Sequence, residues 1–515
     1  MSSDFTAITK ANDFLSSKAI AARAVLVLAV AYLLVGYLTL SPGHAWGDDW
    51  AQYVNHARNL ASGRAYSDTG YIFNPEAPHV GPPSYSPGFP LLIAPIVRVF
   101  GTDVVALKSV GLVCMTAATL LTFLLFRDAL GPGVAAAAAF LFGLHDFSWS
   151  LRNYIISEPS YIFWTLLCLY VASREVRGRG LVSGALCGLF AYAAFATRPI
   201  GIVLIVAVLA YETVQRRLFT GRFLCMAAIP AAGIELQRHL LSVADYSAEL
   251  HVPTLADVAK NAAGYWQATA DLFPLGSKLT LLSPIVVVGL ALLGIGYRLR
   301  PLEAGAGRSE APPVPARLGR PLLRRIPVDV WYLGLYCGAL VLLPFETLSR
   351  YVEPILPILC AYAVYAIRSV LQGTRYARPA ILALCVTGVF YYAALHWTHG
   401  ARRSSGDDAL CPDCRAMYTF IRDTTEPGAR VGFAKPRAMA LLAARPSWVW
   451  AGSRERRFNW EAVRRTHIAY LVVVSPTHPL ASSYPAELGW NAWRSNPNLR
   501  LMFENASFRV LRLDY

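Results

Sequence analysis

Apolar runs of close to twenty residues follow one another along most of this chain, and no other feature restricts its fold so severely. They begin near Ala19, Thr102, Gly133, Ser157, Leu181, Pro199, Arg222, Leu279, Trp331, Val352 and Pro379. About twenty apolar residues cross a bilayer as a helix, and a spanning segment must satisfy its backbone internally. The runs therefore predict a polytopic α-helical membrane protein with about eleven transmembrane helices. Of the 515 residues 55% are hydrophobic and 15% charged, with a mean hydropathy of +0.41, which excludes a soluble enzyme of this length. The first run, Ala19 to Leu40, is too long for a signal-peptide core and shows no convincing cleavage site, so it reads as a retained anchor.

Basic residues sort to one side when the spans are counted this way. Arg174, Arg177 and Arg179 fall there, as do Arg216, Arg217 and Arg222, the Arg-, Pro- and Gly-rich linker from Tyr297 to Pro327, and Arg368, Arg375 and Arg378. The positive-inside rule makes that side cytoplasmic. The loop after the first span and the segment after the last then lie outside. Topology accounts for most of the net charge of +15, and nucleic-acid binding is not needed. Nine cysteines are scattered, several within spans. Cys411 and Cys414 differ, forming Cys-Pro-Asp-Cys in a segment predicted to lie outside. They read as a local disulfide or as packing, since no thioredoxin-type sheet precedes them.

The first outer loop carries the acids. Gly47-Asp48-Asp49-Trp50 sets two adjacent carboxylates where a span has just ended. Trp50, Tyr53, Val54, Ala57 and Leu60 then recur at helical spacing opposite Gln52, Asn55, Arg58 and Asn59, which predicts a short helix lying on the membrane surface. A Pro/Gly-rich loop with Glu76 and His79 leads to Pro82 through Pro90, and Leu91 to Phe100 predicts a second surface helix. Lys108, near the outer end of the next span, is expected to snorkel to the interface.

More charge stands at the same depth. Glu158 precedes Pro159 at the start of a span, where it serves as a helix cap or as a second functional acid. Arg198 sits in Thr197-Arg198-Pro199. An arginine so close to hydrocarbon costs about 2.5–3.5 kcal/mol and is retained for a lipid phosphate or for a structural ion pair. Arg350-Tyr351 returns to the outside ahead of Glu353-Pro354. A second outer loop, Ser242 to Ser277, offers Asp245, Glu249, His251, Tyr265, Trp266 and Asp271 with no diagnostic spacing.

The composition changes from about Trp397. Helical stretches (Asp408 to Arg422, Lys435 to Ala444, Asn459 to Thr466) alternate with short apolar strands (Arg430 to Phe433, Trp448 to Ala451, Ala469 to Val474, Leu499 to Phe503, Phe508 to Leu513). The alternation predicts that residues 397–515 form a small extracytoplasmic α/β domain with a partly parallel sheet, following a membrane domain of residues 1–396. It has no glycine-rich phosphate loop and no metal-ligand spacing, so packing or acceptor docking is the expected role.

Water-facing acids beside a bilayer, with arginines at equal depth, suit a reaction in which a hydroxyl loses its proton while an anionic lipid phosphate departs. The carboxylate is the general base and arginine receives the growing phosphate charge. Adjacent acids titrate as a coupled pair, and one of the two carboxyls can be held at a raised pKa. Position alone does not say which.

These residues resemble a family. Gly47-Asp48-Asp49-Trp50 with Tyr53, Ala57-Arg58-Asn59-Leu60 and Gly63 looks like the first-loop signature of GT-C glycosyltransferases, polytopic enzymes that use polyprenyl-phosphate sugars. Tyr85-Ser86-Pro87-Gly88-Phe89-Pro90-Leu91-Leu92 is similar to the next segment in the protein mannosyltransferase and rhizobial lipopolysaccharide glycosyltransferase branches. Ser157-Glu158-Pro159, Thr197-Arg198-Pro199 and Arg350-Tyr351 with Pro354 and Pro357 recur in the expected order, and the C-terminal domain is similar too. The resemblance covers nearly the whole chain.

It implies an inverting transfer of a sugar from a polyprenyl-phosphate donor to an envelope lipid, glycan or protein, at the outer face of a bacterial cytoplasmic membrane. The catalytic base is then Asp48 or Asp49, with Asp48 favoured as the first acid of the pair. Glu158 corresponds to the second-loop acid that helps bind acceptor or metal. Arg198, Arg350 and Tyr351 face the donor phosphate, and Tyr53, His79 and Tyr85 belong to the substrate loop. A divalent cation stays open: Asp48, Asp49, His79 and Glu158 have no fixed metal spacing. Tyr85-Ser86 stands where aminoarabinose transferases carry Glu-Lys, which disfavours aminoarabinose transfer and any metal site needing that glutamate. A lipid or sugar transporter and a non-enzymatic envelope-assembly protein are the rival readings; no internal repeat and no mid-bilayer charge supports the former.

Overall fold

The computed structural model describes residues 18–77, 80–174, 180–215, 220–241, 252–274, 280–300, 322–343, 347–402, 408–450, 459–485, 488–491, 494 and 496–514. Most of the predicted Tyr297 to Pro327 linker, and Asp245, Glu249 and His251 of the second outer loop, lie outside the described residues.

A helix starts within a few residues of each predicted run. The chain through Arg402 is built from α1 (Lys18–Leu38), α2 (Asp49–Ser62), α3 (Gly88–Phe100), α4 (Val104–Phe126), α5 (Pro132–Leu144), the short α6 (Asp146–Leu151), α7 (Glu158–Ser173), α8 (Gly180–Thr197), α9 (Ile202–Gln215), α10 (Gly221–Leu240), α11 (Leu255–Leu272), α12 (Ser283–Leu299), α13 (Val328–Leu342), α14 (Leu356–Val370) and α15 (Ala377–Arg402). The polar side of α2 departs from the expected surface helix: Gln52, Asn55 and Asn59 are buried. Among the described residues six helical segments are long and apolar enough to cross a membrane, and α3, α5, α9 with its preceding turn, and α13 are shorter apolar helices. The stretch read as a second outer loop holds α11, whose start is set by a capping box between Thr254 and Asp257.

The apolar helices sort their faces as a bilayer demands. On α1, Val25, Ala29 and Tyr32 are buried against the bundle, while Val27, Leu34 and Leu38 are exposed. Hydroxyls inside the bundle bond back along their own helix: Thr116, Thr119 and Thr122 of α4 donate to the carbonyls of Leu112, Met115 and Ala118. Small residues bring backbones together. A Cβ at Gly188 of α8 would lie 2.8 Å from the Cys225 carbonyl oxygen of α10, and one at Gly294 of α12 would strike the Tyr362 carbonyl of α14.

The chain after α15 adds α16 (Pro412–Thr424), β2 (Arg430–Gly432), α17 (Pro436–Leu442), β3 (Ser447–Trp448), α18 (Trp460–Arg465), β4 (Ile468–Val474), β5 (Leu499–Glu504) and β6 (Phe508–Leu513). Their sheet takes an edge strand from the first loop, β1 (Tyr71–Ile72), giving the order β1-β3-β2-β4-β6-β5. The first four strands run parallel, with Tyr71 and Val431 both opposite Ser447, and β6 pairs antiparallel with β4 and β5. The β4 residues Leu471 to Val474 are all buried, as a strand covered on both faces requires. One face shares a core with Trp46 of the first loop, Trp50 and Val54 of α2, and Phe89 of α3. The sheet thus packs directly onto the acid-bearing segment. Cys411 and Cys414 form a disulfide at the start of α16.

Candidate active site

The two adjacent aspartates part company at the first residue of α2. Asp48 turns away from its own helix and toward α17, accepting from the backbone amides of Arg437 at 3.3 Å and Ala438 at 3.1 Å. Burial pushes its carboxyl above the ordinary value, against the opposing pull of Arg437, Lys435 and those two amides.

Asp49 points the other way. Its Oδ1 accepts from the Tyr85 hydroxyl at 2.6 Å, and its Oδ2 accepts from Arg350 Nη1 at 3.1 Å. Arg437 Nη1 stands 3.5 Å from Oδ1. Burial works to raise this pKa too, but Arg350 and Arg437, with the Tyr85 hydrogen bond, outweigh it and hold the carboxyl below its ordinary value. The side chains of Asp49 and Arg350 are each 32% exposed, against 2% for Glu158 and 0% for Arg437. The open edge of the cluster is therefore the Asp49–Arg350 pair.

Behind that edge the charges form a chain. Glu158 Oε1 lies 2.6 Å from Arg198 Nη1 and 3.5 Å from Arg350 Nε. Both guanidinium groups sit over the Tyr351 ring, 5.2 and 5.4 Å from its centroid. Arg198 Nη1 also donates to Ser157 Oγ at 3.1 Å, and Ser157 Oγ is 3.0 Å from the Tyr53 hydroxyl. The Tyr53 ring packs on Tyr85. Three arginines thus face Asp49 and Glu158, and Asp48 acts on Arg437 from behind as a third acid.

Local chain geometry makes each placement possible. Arg198 is extended (φ −147°, ψ 131°) between α8 and the turn Pro199–Gly201, the conformation that a following proline enforces. Gly88 opens α3 against this segment; a Cβ there would lie 2.6 Å from the backbone of Ala196 and Thr197. Tyr85 is pinned twice through its backbone: its amide donates to His56 Nε2 at 3.1 Å, and its carbonyl accepts from the Tyr66 hydroxyl at 2.8 Å. His56 stacks on Tyr66 at 4.1 Å, and burial pulls its pKa down to about 4. Downstream of Arg350, the buried Glu353 accepts from Ser148 Oγ and ties the loop to α6.

Asp49, Tyr53, Tyr85, Glu158, Arg198, Arg350 and Tyr351 are gathered within one cluster, while Asp48 sits at its back. His79 lies outside the described residues. Glu158 holds a structural ion pair with Arg198, one of the two alternatives for that arginine. Lys108 departs from expectation. It is fully buried and donates to the Ser41 and Gly43 carbonyls at 2.8 and 2.6 Å, so it braces the loop that leads to the acids rather than snorkelling.

Arg437 is the site residue that the sequence pattern did not reveal. Its buried guanidinium donates to the Tyr85 hydroxyl at 2.6 Å and the Pro82 carbonyl at 3.0 Å, between the rings of Tyr71 and Tyr85, each 4.7 Å away. Among the described residues no group of three or more His, Cys, Asp or Glu side chains is placed to hold a metal ion. Glu158 is occupied by two arginines, a donor set that does not suit a cation.

Known proteins share part of this chain's sequence and its fold. Residues 82–232 match the family model described as dolichyl-phosphate-mannose-protein mannosyltransferase, an interval that contains Tyr85, Glu158 and Arg198. Among curated protein sequences none matches the chain. Among solved structures, ArnT from Cupriavidus metallidurans bound to undecaprenyl phosphate is 11% identical, with 94% of this chain and 97% of that chain covered and a TM-score of 0.57. The Archaeoglobus fulgidus oligosaccharyltransferase with a tethered acceptor peptide is 11% identical, over 95% of this chain and 74% of that one, with a TM-score of 0.54. The same oligosaccharyltransferase in complex with Zn and sulfate is 12% identical, over 88% and 67%, with a TM-score of 0.53. At these identities the likeness is one of fold: this chain shares the helical fold of ArnT and of the archaeal oligosaccharyltransferase.

Proposed function

We propose that the chain is an inverting membrane glycosyltransferase that moves a sugar from a polyprenyl-phosphate donor to a hydroxyl of an envelope acceptor, with Asp49 as the general base. The observation that carries this reading is the Asp49–Arg350 pair: a carboxylate and a phosphate-binding group side by side, both one-third open, above a buried Glu158–Arg198 support.

The acceptor hydroxyl gives its proton to an Asp49 oxygen as its own oxygen attacks the anomeric carbon. The bond from that carbon to the phosphate oxygen breaks, and polyprenyl phosphate leaves with the electron pair. Arg350 receives the added negative charge, braced from behind by the Glu158–Arg198 pair. Attack opposite the leaving group inverts the anomeric centre. Because neighbouring arginines keep the Asp49 pKa low, the base is ionised throughout the neutral range. Asp48, with a raised pKa and both oxygens bonded to amides, is the member of the pair that positions the loop.

The family match over residues 82–232 supports a lipid-phosphate sugar donor. The undecaprenyl phosphate held by the ArnT structure and the acceptor peptide tethered in the oligosaccharyltransferase support a lipid-linked donor and a separate acceptor. The described basic residues Arg174, Arg222 and Arg368 gather near Asp128 and Leu130, at the end of the bundle away from the acids, which by the positive-inside rule supports a site that faces outward, toward the periplasm of a bacterial inner membrane. Purified enzyme supplied with polyprenyl-phosphate sugars and envelope acceptors, read by mass spectrometry of the products, tests the proposal. Sugar transfer that continues unchanged in Asp49→Asn ends it.

A further inference from the structure

The end of the bundle opposite the acids holds a cavity of 710 Å³ that the transfer reaction does not use. Helix α14 connects the two places: it begins just after the Arg350 loop and reaches Arg368 at its last turn, roughly 20 Å away at 1.5 Å per residue. The boundary at this end is marked by charge, with Asp128 2.7 Å from Arg174 and 3.4 Å from Lys18.

The cavity has two kinds of wall. Ala24 of α1, Ala136 and Phe140 of α5, and Ile381 of α15 make an apolar slot. On the α5 wall Ala136 and Ala137 present small side chains between α1 and α15. At the mouth stand Arg368, Arg375 and Arg378, with no Asp or Glu among the lining residues. Arg368 donates to the Leu130 carbonyl at 2.9 Å, and Arg375 donates to the Tyr376 hydroxyl at 3.0 Å. Gly131 has φ +97°, and a Cβ there would collide with Arg368 Nη1, so a glycine is required for the guanidinium to lie over the start of α5.

We infer that this cleft binds an anionic phospholipid of the leaflet at that end, its phosphate among the three arginines and an acyl chain in the slot between α1, α5 and α15. Charge complementarity and depth select this occupant. A slot open to hydrocarbon takes a chain, a basic mouth at the membrane boundary takes a phosphate, and a zwitterionic headgroup would bring its ammonium against three guanidiniums with no carboxylate among the described lining residues to receive it. The site is separate from the donor site and does not depend on the transfer reaction.

Thermal unfolding of the full-length protein in detergent, with added phosphatidylglycerol, phosphatidylcholine or inorganic phosphate, reads the binding. Phosphatidylglycerol raises the unfolding temperature, and the other two probes do not. Arg375→Gln with Arg378→Gln leaves the Arg368–Leu130 bond in place and weakens phosphatidylglycerol binding about 25-fold, at about fivefold per arginine near the surface. Ala136→Phe fills the slot, keeps all three arginines, and also removes the stabilisation. Equal stabilisation by phosphatidylcholine, competition by inorganic phosphate, or wild-type phosphatidylglycerol affinity in either variant overturns the inference.

Discussion

Replacing each of the adjacent aspartates by asparagine separates a chemical role from a structural one. In Asp49→Asn the new amide keeps an oxygen that can accept from Tyr85 or Arg350, and the position is one-third open, so lost pairing there is softened by water. The expected loss of stability is about 1 kcal/mol or less. The loss of rate is much larger, because general-base catalysis contributes about 10²–10⁴-fold. For Asp48 the order reverses. Its two oxygens accept from two amides; asparagine keeps one acceptor and turns an NH₂ toward the other amide. Losing one charge-assisted bond costs about 1.5–3 kcal/mol, while the transfer rate of the folded protein stays within about tenfold, below the range of a lost general base. Initial rates of sugar transfer in proteoliposomes, with unfolding temperatures of the same preparations, give both quantities. If the Asp48 variant is inactive while the Asp49 variant keeps more than a tenth of the rate, the assignment of the base is wrong.

Arg437→Gln removes a cation 3.5 Å from Asp49 Oδ1. Arg437 helps to hold the Asp49 carboxyl below its ordinary value, so its removal raises that pKa. The acid limb of kcat/KM moves to higher pH; an unmoved limb removes Arg437 from the site. Burial lowers His44 and His56 from 6.5 to about 4. A base whose folded pKa is depressed stabilises fully above pH 6.5 and loses that contribution as pH falls toward 4. At pH 5 the loss is about 2 kcal/mol per histidine, to be seen as a lower unfolding temperature than at pH 7 that His56→Gln partly abolishes. Gly88→Ala puts a methyl into the backbone of Ala196 and Thr197. Overpacking costs about 1–3 kcal/mol, and displacement of Arg198 raises the KM for donor; unchanged unfolding and KM would show that the contact relaxes freely.

Features with a local cause were legible in the sequence. Hydropathy located the start of each apolar helix, Pro199 fixed the extended backbone of Arg198, and alternation located β4, β5 and β6 to within a residue or two. What escaped depends on contacts distant in the chain. Arg437 reaches Asp49 across 388 residues, and in its own neighbourhood Lys435-Pro436-Arg437-Ala438 reads as an ordinary helix start. Strand β1 is two residues long, below any periodicity. Within Asp48-Asp49 the family resemblance favours the first acid, whereas the geometry favours the second. Neighbouring side chains on a helix diverge by about 100°, so only the position of α17 decides which acid faces the amides and which the arginines. Depth alone predicts that Lys108 snorkels; its buried carbonyl partners belong to a loop more than sixty residues upstream.

The clasp of α17 on the acid pair sets an order of assembly. Asp48 and Asp49 enter the membrane environment while Arg437 is still to be translated, and the bundle through α15 is synthesised first. Until α17 docks and β3 pairs with β1, Asp48 has no amides to hold it and Asp49 has two of its three partners. A nascent chain thus possesses its helices before the cluster around Asp49 gains its third cation, Arg437.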